Sequence, residues 1–543
     1  MTARDPFRRL AVPDRTIRLP DLAEEKGLLV AWSLERSHRD PRVGFGYGDP
    51  SKRPETGFLD PILLEGEGHI ITFAPTGQGK GRSCIMPALL RHEGPVIAID
   101  PKGENVAVTA RRRREMGHQV VILDPMCIAS DGGGRFNPLD LIDGGSVDGV
   151  DLAAMFAAAM IDGKDDPENT YWYQRGQQLL IGLILHVVTT AAPADRTFAT
   201  VRKLLAQLIG EVNDGPPEPG SAREELENSP HPEARIAATI LRLGSSQGVG
   251  SILSMAQDGT DFLRGPQVEA SMSSSDFDID AVTRGDPLSI YLVLPPHMME
   301  SHGRLLRLWV MALISLITRR RARPPASTLF LLDESAQLGT LPQLRQAITL
   351  LRGYGVQTWS FWQDVSQLRL LYPLDWETML NNCEVIQCFG PRNMRAAATM
   401  ADITGYREER EVLDLTDDEM LLQISGEEVV VARKPDYLND PAFAGAFDVN
   451  PFHDTARAVL PPPSPRIKLF ERRPDGPPRR EPVELATMPF FREEGDSHAR
   501  PGAMPPAAPP PPPARRRDRR NRGLDALIRR LGGESDGEGA GEP

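Results

Sequence analysis

Short, nearly continuous apolar runs alternate with helix-like segments from Gly68 onward. Ile70–Phe73 is β-rich and opens into a turn crowded with glycine, after which Ile85, Met86, Leu89 and Leu90 fall at helical spacing. Pro95–Asp100 reads as a buried strand ending in a carboxylate, Asn105–Met116 as a helix closed by Gly117, and Gln119–Pro125 as a second buried strand. Strands apolar on both faces and separated by helices predict a parallel sheet covered on each side. The pattern changes near Gly145. To about residue 285 the spacing is helical, over Leu152–Met160, Trp172–Val188, Phe198–Leu208 and Ile236–Leu243, with Pro- and Gly-rich breaks such as Asp214–Pro217. Strand runs resume at Leu288–Leu294 and continue at Thr328–Leu332, Thr358–Phe361 and Glu384–Cys388.

The pattern predicts an α/β fold. Residues 1–60 read as an irregular lead-in, 61–144 and 286–450 as two parts of one α/β domain, and 145–285 as an all-α insertion. Residues 451–543 form a Pro/Arg-rich disordered tail. In that tail Pro509–Pro513 is a stiff polyproline spacer, and Arg515–Arg530 carries eight arginines against two aspartates. Such a run reads as a solvated tail or as a basic arm for DNA, anionic lipid or a protein partner.

Composition narrows the partners. The 543 residues carry a net charge of −13, so nucleic-acid contacts must come from local arginine clusters rather than from the global field. Four cysteines are too few and too scattered for a disulfide framework and suit a reducing compartment. Cys383 and Cys388 fall on opposite faces of their strand, which argues against a metal site there. The N-terminus lacks the apolar core of a signal peptide. Leu179–Val188 and Leu305–Thr318 fall short of the roughly 18–20 apolar residues of a membrane span and read as buried helices.

The glycine-rich turn carries the chemistry. Ala74-Pro75-Thr76-Gly77-Gln78-Gly79-Lys80-Gly81, followed by Arg82 and Ser83, sits between a strand and a helix. Glycines let backbone N–H groups close around phosphate oxygens, the helix start favours an anion, and Lys80 can reach β- and γ-phosphates. Two positions depart from the usual pattern. Ala74 stands where Gly is expected, and Gly81 stands where a Ser or Thr hydroxyl would ligate Mg2+; Ser83 is the available substitute. Thr328–Leu332 then runs into Asp333-Glu334, placing two carboxylates at the carboxyl edge of the sheet. There Asp333 can hold Mg2+ and Glu334 can polarise an attacking water. Gln363, at the end of the next strand, can sense the γ-phosphate. Arg352, after the helix Gln343–Leu351, can reach a neighbouring subunit's site. Together these residues predict ATP and Mg2+ binding.

The motifs APTGQGKG, VIAIDPKGENVAVTARRRREMGHQVVILDP, RFNPLD, LLDESAQLGTLPQLRQAITLLRGYGVQTWSFWQDVSQLRLLY and WETMLNNC occur in that order. They resemble the type IV secretion coupling proteins, the TraG-like ATPases that deliver DNA to conjugation channels, over roughly Gly44 to Pro451. The resemblance implies a RecA-like P-loop NTPase domain with an all-α insertion, assembled as a homo-hexamer around a DNA channel with ATP between subunits. It implies that Lys80 is the phosphate lysine, Asp333 and Glu334 the metal and water carboxylates, and Gln363 and Arg352 the sensor and the arginine acting in trans. It also implies relaxase or effector cargo and partners in a secretion channel at the inner membrane. Members of that family usually begin with membrane-spanning helices, and none is found here. The expectation is therefore a cytoplasmic protein held peripherally at the inner membrane through partners. A ring DNA translocase without a secretion partner, and an ATP-binding adaptor for protein effectors, are the two other readings.

Overall fold

The computed structural model describes residues 22, 26–33, 45–47, 60–161, 169–211, 218–243, 246–406, 409–425, 427 and 429–452. The Pro/Arg-rich tail beyond residue 452, most of the lead-in and the Asp214–Pro217 break lie outside them.

The strands are β1 Leu28–Ser33, β2 Phe45–Tyr47, β3 Asp60–Leu64, β4 His69–Phe73, β5 Val96–Asp100, β6 Gln119–Leu123, β7 Leu288–Val293, β8 Thr328–Leu332, β9 Val356–Trp362, β10 Cys383–Phe389, β11 Glu419–Ile424 and β12 Val430–Arg433. They form one 12-stranded sheet in the order β2-β3-β1-β12-β11-β10-β4-β9-β8-β5-β7-β6. From β10 to β6 every neighbouring pair is parallel. From β2 to β10 every pair is antiparallel.

The parallel strands inside the edge strand β6 are buried on both faces because alternate side chains enter different cores. Ile71, Phe73, Phe330 and Leu332 face one core, and Ile70, Leu329, Leu331 and Phe361 face the other. The second face is covered by α1 (Met86–Arg91) and α2 (Glu104–Glu115), through Ala88, Leu89, Val106 and Ala110. The first is covered by the helices between β6 and β7 and by those that follow β7. Between the two strands run α3 Val147–Met160, α4 Thr170–Thr190, α5 Phe198–Glu211, α6 Ala222–Glu227, α7 Pro232–Leu243, α8 Ser246–Thr260, α9 Pro266–Ser271 and α10 Ile279–Arg284. After β7 come α11 Met299–Thr318, α12 Pro342–Leu350, α13 Val365–Leu371, α14 Trp376–Asn381, α15 Met394–Thr404 and α16 Glu409–Leu413.

The helical stretch shares one continuous core with the sheet. Leu179, Leu183 and Ile184 of α4 and Leu305, Trp309 and Leu313 of α11 belong to the same buried cluster as Ile71 and Phe73. Trp309 also donates its Nε1–H to the Phe136 carbonyl at 3.1 Å. Both apolar runs weighed as membrane spans are thus buried helices of this core. Among the described residues no helix is long and apolar enough to cross a membrane.

One expectation needs correction. Residues 1–60 read as irregular, yet Leu28–Ser33 is a strand with every residue buried. Its burial comes from partners far along the chain: β1 pairs with β3 and with β12, where Trp32 faces Arg433. A six-residue run gains such pairing only once the sheet is assembled, so local pattern does not announce it.

Candidate functional site: the carboxyl edge of strands β4, β8 and β9

Strand register brings the expected residues to one edge. Phe73 pairs with Trp362 across β4 and β9, and Leu332 pairs with Ser360 across β8 and β9. The residues that follow, Ala74, Gln363 and Asp333, therefore leave the sheet side by side, with β9 between the other two strands. The backbone N–H of Ala74 still donates to the Trp362 carbonyl at 2.8 Å, so the loop departs from a fixed point.

The loop then closes on itself. Gln78 N–H donates to the Pro75 carbonyl at 3.2 Å and Ser83 N–H to the Gly79 carbonyl at 2.8 Å. Gly77 and Gly79 have φ of 84° and 81°, a conformation that L side chains rarely adopt. After Lys80 the chain enters a wide π-type turn, Gly81–Ile85, that leads into α1. Ser83 is buried in that turn, its Oγ 3.8 Å from where a Gly79 Cβ would stand. A Cβ added to Gly81 would meet no atom within 4 Å.

Lys80 is the hub. Its Nζ lies 2.9 Å from Asp333 Oδ1 and also contacts Glu334 Oε1. Gln363 Nε2 donates to the other oxygen of Glu334 at 3.3 Å. Glu334 adopts a left-handed backbone, φ 52° and ψ 46°, uncommon for a residue with a side chain. Strain of this kind is held only where the surroundings impose it, and here the carboxylate is turned back toward Lys80. Burial pushes the Asp333 carboxyl above the ordinary range, against the pull of the Lys80 ammonium. Burial would lower the Lys80 pKa, but the charges of Asp333 and Glu334 outweigh it and the net shift is upward. The edge thus pairs one ammonium with two carboxylates. Asp100, at the end of β5, adds a third acid whose burial raises its pKa to about 7, although Val106 N–H donates to it at 2.9 Å.

Other expected residues lie elsewhere. Arg82 points out of the loop and grips Asp436 with two guanidinium nitrogens, Nε at 2.6 Å. Arg352 precedes β9 and therefore sits at the amino edge of the sheet, opposite Gln363. There it pairs with Glu384 at 2.8 Å, its side chain 53% exposed. Within this chain it does not approach the loop.

Two cations at the loop escape sequence reasoning. Arg392, just past β10, donates Nη2–H to the Thr76 carbonyl at 2.8 Å. Lys434, just past β12, reaches the Gln78 carbonyl at 3.3 Å. The available signal was position: Glu384–Cys388 reads as a strand, and a basic residue soon after the end of a parallel strand falls near the carboxyl edge. Nothing in sequence announces Lys434.

Comparison with known proteins follows the same lines. Residues 25–407 match the family model described as type IV secretory system conjugative DNA transfer. A conjugal transfer protein TraG of Escherichia coli is 29% identical over 357 residues, which is 63% of this chain and 55% of that protein. A second TraG from the same species is 26% identical over 516 residues, covering 82% of this chain and 78% of its own length. The chain thus spans little more than half of the first relative. Among solved structures, the plasmid coupling protein TrwB in complex with ADP and Mg2+ superposes with a TM-score of 0.54 at 15% identity, over 71% of this chain and 90% of that one. That likeness is one of fold, a RecA-like α/β domain. With more than half of its length matched by the family model, the chain belongs to the type IV secretory system conjugative DNA transfer family.

Proposed function

We propose that this protein hydrolyses ATP to deliver DNA, or a DNA–protein complex with a relaxase or effector, to a type IV secretion channel at the inner membrane. We propose further that it acts as a homo-hexamer. The observation that carries the reading is the convergence of Lys80, Asp333, Glu334 and Gln363 on one sheet edge, in a chain of the conjugative DNA transfer family.

The residues divide the work of phosphoryl transfer, which is mostly positioning and charge stabilisation. Within the loop from Ala74 to Ser83, N–H groups not engaged by its own turns, those of Gly77 and Gly79 among them, cradle the phosphates. Lys80 gives up its carboxylate partners for β- and γ-phosphate oxygens. Glu334, oriented by Gln363, accepts a hydrogen bond from the attacking water. The donor set fits Mg2+, which takes one or two carboxylates together with phosphate oxygens: Asp333 presents a partly buried carboxylate paired with the Lys80 ammonium, and the loop itself carries the Ser83 hydroxyl. When bound, Mg2+ would neutralise charge on the β- and γ-phosphates.

Because the Gly81 position is open, Gly81→Ser is expected to fold normally and lower the Mg2+ concentration that half-saturates ATP turnover by a few-fold, on the order of one added oxygen ligand. An unchanged Mg2+ requirement would show that another group already fills that role.

Arg352 faces away from its own loop, and we propose that it serves the site of a neighbouring subunit. Arg352→Ala and Lys80→Ala chains should each be inactive alone and regain turnover when mixed. No recovery in mixed oligomers would refute the role in trans.

The DNA part is tested by fluorescence anisotropy of labelled single- and double-stranded oligonucleotides with the ATP-loaded protein. The affinity should fall as salt rises, since phosphate contacts release counterions. Absence of binding to either form at low salt would remove DNA from the proposal.

A further inference from the structure

Two carbonyls of the phosphate loop are held from outside by cations that the loop motif does not contain. Arg392 donates to the Thr76 carbonyl at 2.8 Å, and Lys434 donates to the Gln78 carbonyl at 3.3 Å. Lys434 is only 4% exposed, and its ammonium stands 4.5 Å from the centroid of the Phe389 ring. The peptide unit is planar and trans, so a carbonyl and the N–H of the following residue point in opposite directions. Drawing the Thr76 oxygen toward Arg392 turns the Gly77 N–H away from that guanidinium. Drawing the Gln78 oxygen toward Lys434 does the same for the Gly79 N–H. Both glycines sit at positive φ, where successive N–H groups can line a concave anion nest.

We infer that Arg392 and Lys434 are positioning residues for the nucleotide's phosphates, holding Thr76 and Gln78 so that the N–H groups of Gly77 and Gly79 stay aimed at phosphate oxygens. The two fixed positive charges also favour the anion from behind the loop. The inference rests on the reading of this edge as a nucleotide site.

The mount of Lys434 is stiff. Two residues on, Asp436 grips Arg82 at the other end of the loop, and its N–H donates to Asp440 Oδ2 at 2.8 Å. Asp440 is in turn held by Trp32 Nε1 at 2.8 Å and by Arg433 Nη2 at 2.9 Å. Strand β1, the hairpin β11–β12 and the loop are thereby one mechanical unit. Burying an ammonium is costly, and burial pushes the Lys434 pKa down. A methionine of similar length would fill the same space without that cost, so fold stability and phosphate binding should respond in opposite senses.

The test uses the full chain as wild type, Lys80→Ala, Lys434→Met, Arg392→Met and Arg392→Lys. It measures MgADP affinity, KM and kcat for MgATP, and Tm. Each methionine variant is expected to bind MgADP about tenfold more weakly, the scale of one lost charged hydrogen bond. KM for MgATP should rise in parallel, with kcat changed by less than about twofold. Lys434→Met should not lower Tm, and Arg392→Lys should recover most of the affinity. Unaltered affinity in both methionine variants, while Lys80→Ala loses turnover, would overturn this inference and leave the nucleotide site standing. Affinity that falls only with a matching loss of Tm would overturn it as well. A wild-type chain that binds no nucleotide would overturn both the inference and the reading beneath it.

Discussion

Lys80→Ala is expected to abolish ATP turnover in a protein that remains folded. Among the described residues, Lys80 is the one side chain that bridges the loop to both acids at the end of β8. Removing it takes away the ammonium proposed to meet the β- and γ-phosphates, and it leaves Asp333 and Glu334 facing the incoming anion without compensation. Loss of one preorganised donor to a developing charge costs about 10²–10³ in rate, and the uncompensated carboxylates add to that. The fold should tolerate the change. Asp333 is partly exposed at the edge and keeps the hydrogen bond from the Glu334 N–H at 3.0 Å, so water can serve the carboxylate that Lys80 leaves. Phosphate release measured beside circular dichroism and Tm checks both halves. A folded Lys80→Ala protein that hydrolyses ATP at the wild-type rate would sink the site assignment.

Glu334→Gln separates binding from chemistry. The substitution keeps the shape of the side chain and one acceptor oxygen for Lys80, while the new amide nitrogen faces Gln363, whose side chain can turn its own oxygen to accept from it. It removes the charge that polarises water. General-base contributions are typically about 10²–10⁴-fold, so steady-state turnover should fall by that order while MgATP binding persists. Binding should tighten somewhat, since one negative charge next to the triphosphate is gone. Nucleotide affinity and phosphate release, measured on the same preparation, show whether the two properties part. Glutamine that supports near-normal turnover would mean that Glu334 is held by Lys80 and Gln363 for structural reasons alone.

The parts of this site that were legible in sequence are local. Strand His69–Phe73, the glycines at positive φ and the helix after Lys80 follow one another within a few turns of chain, and each residue type has its own conformational reason. The end of β8 was legible for a similar reason: a run buried on both faces cannot continue into Asp-Glu, so the acids had to mark its carboxyl end. Parallel order then places Ala74, Asp333 and Gln363 at one edge. Arg352 follows the same logic in reverse. A residue that precedes a parallel strand lies at the amino edge, so its separation from the loop within one chain was implicit in its position before β9.

What could not be read depends on distant partners. Strand β1 is a six-residue apolar run whose burial rests on Arg433 and Leu64, and β11 and β12 gain their places only by pairing with β10 and with β1. Arg392 and Lys434 reach the loop across 316 and 356 residues of sequence, a distance over which periodicity carries no information. The left-handed backbone of Glu334 likewise arises from the assembled edge.

The account stands most directly on steady-state ATP hydrolysis by the wild-type chain, titrated with single- and double-stranded DNA at low and moderate salt. It predicts measurable turnover that requires Mg2+, rises with DNA of the preferred form, and loses that stimulation as salt increases. Absence of turnover in Mg2+ and DNA at every salt concentration would contradict the nucleotide site and the motor together. Turnover indifferent to both DNA forms would leave the ATPase and contradict the coupling of its energy to DNA.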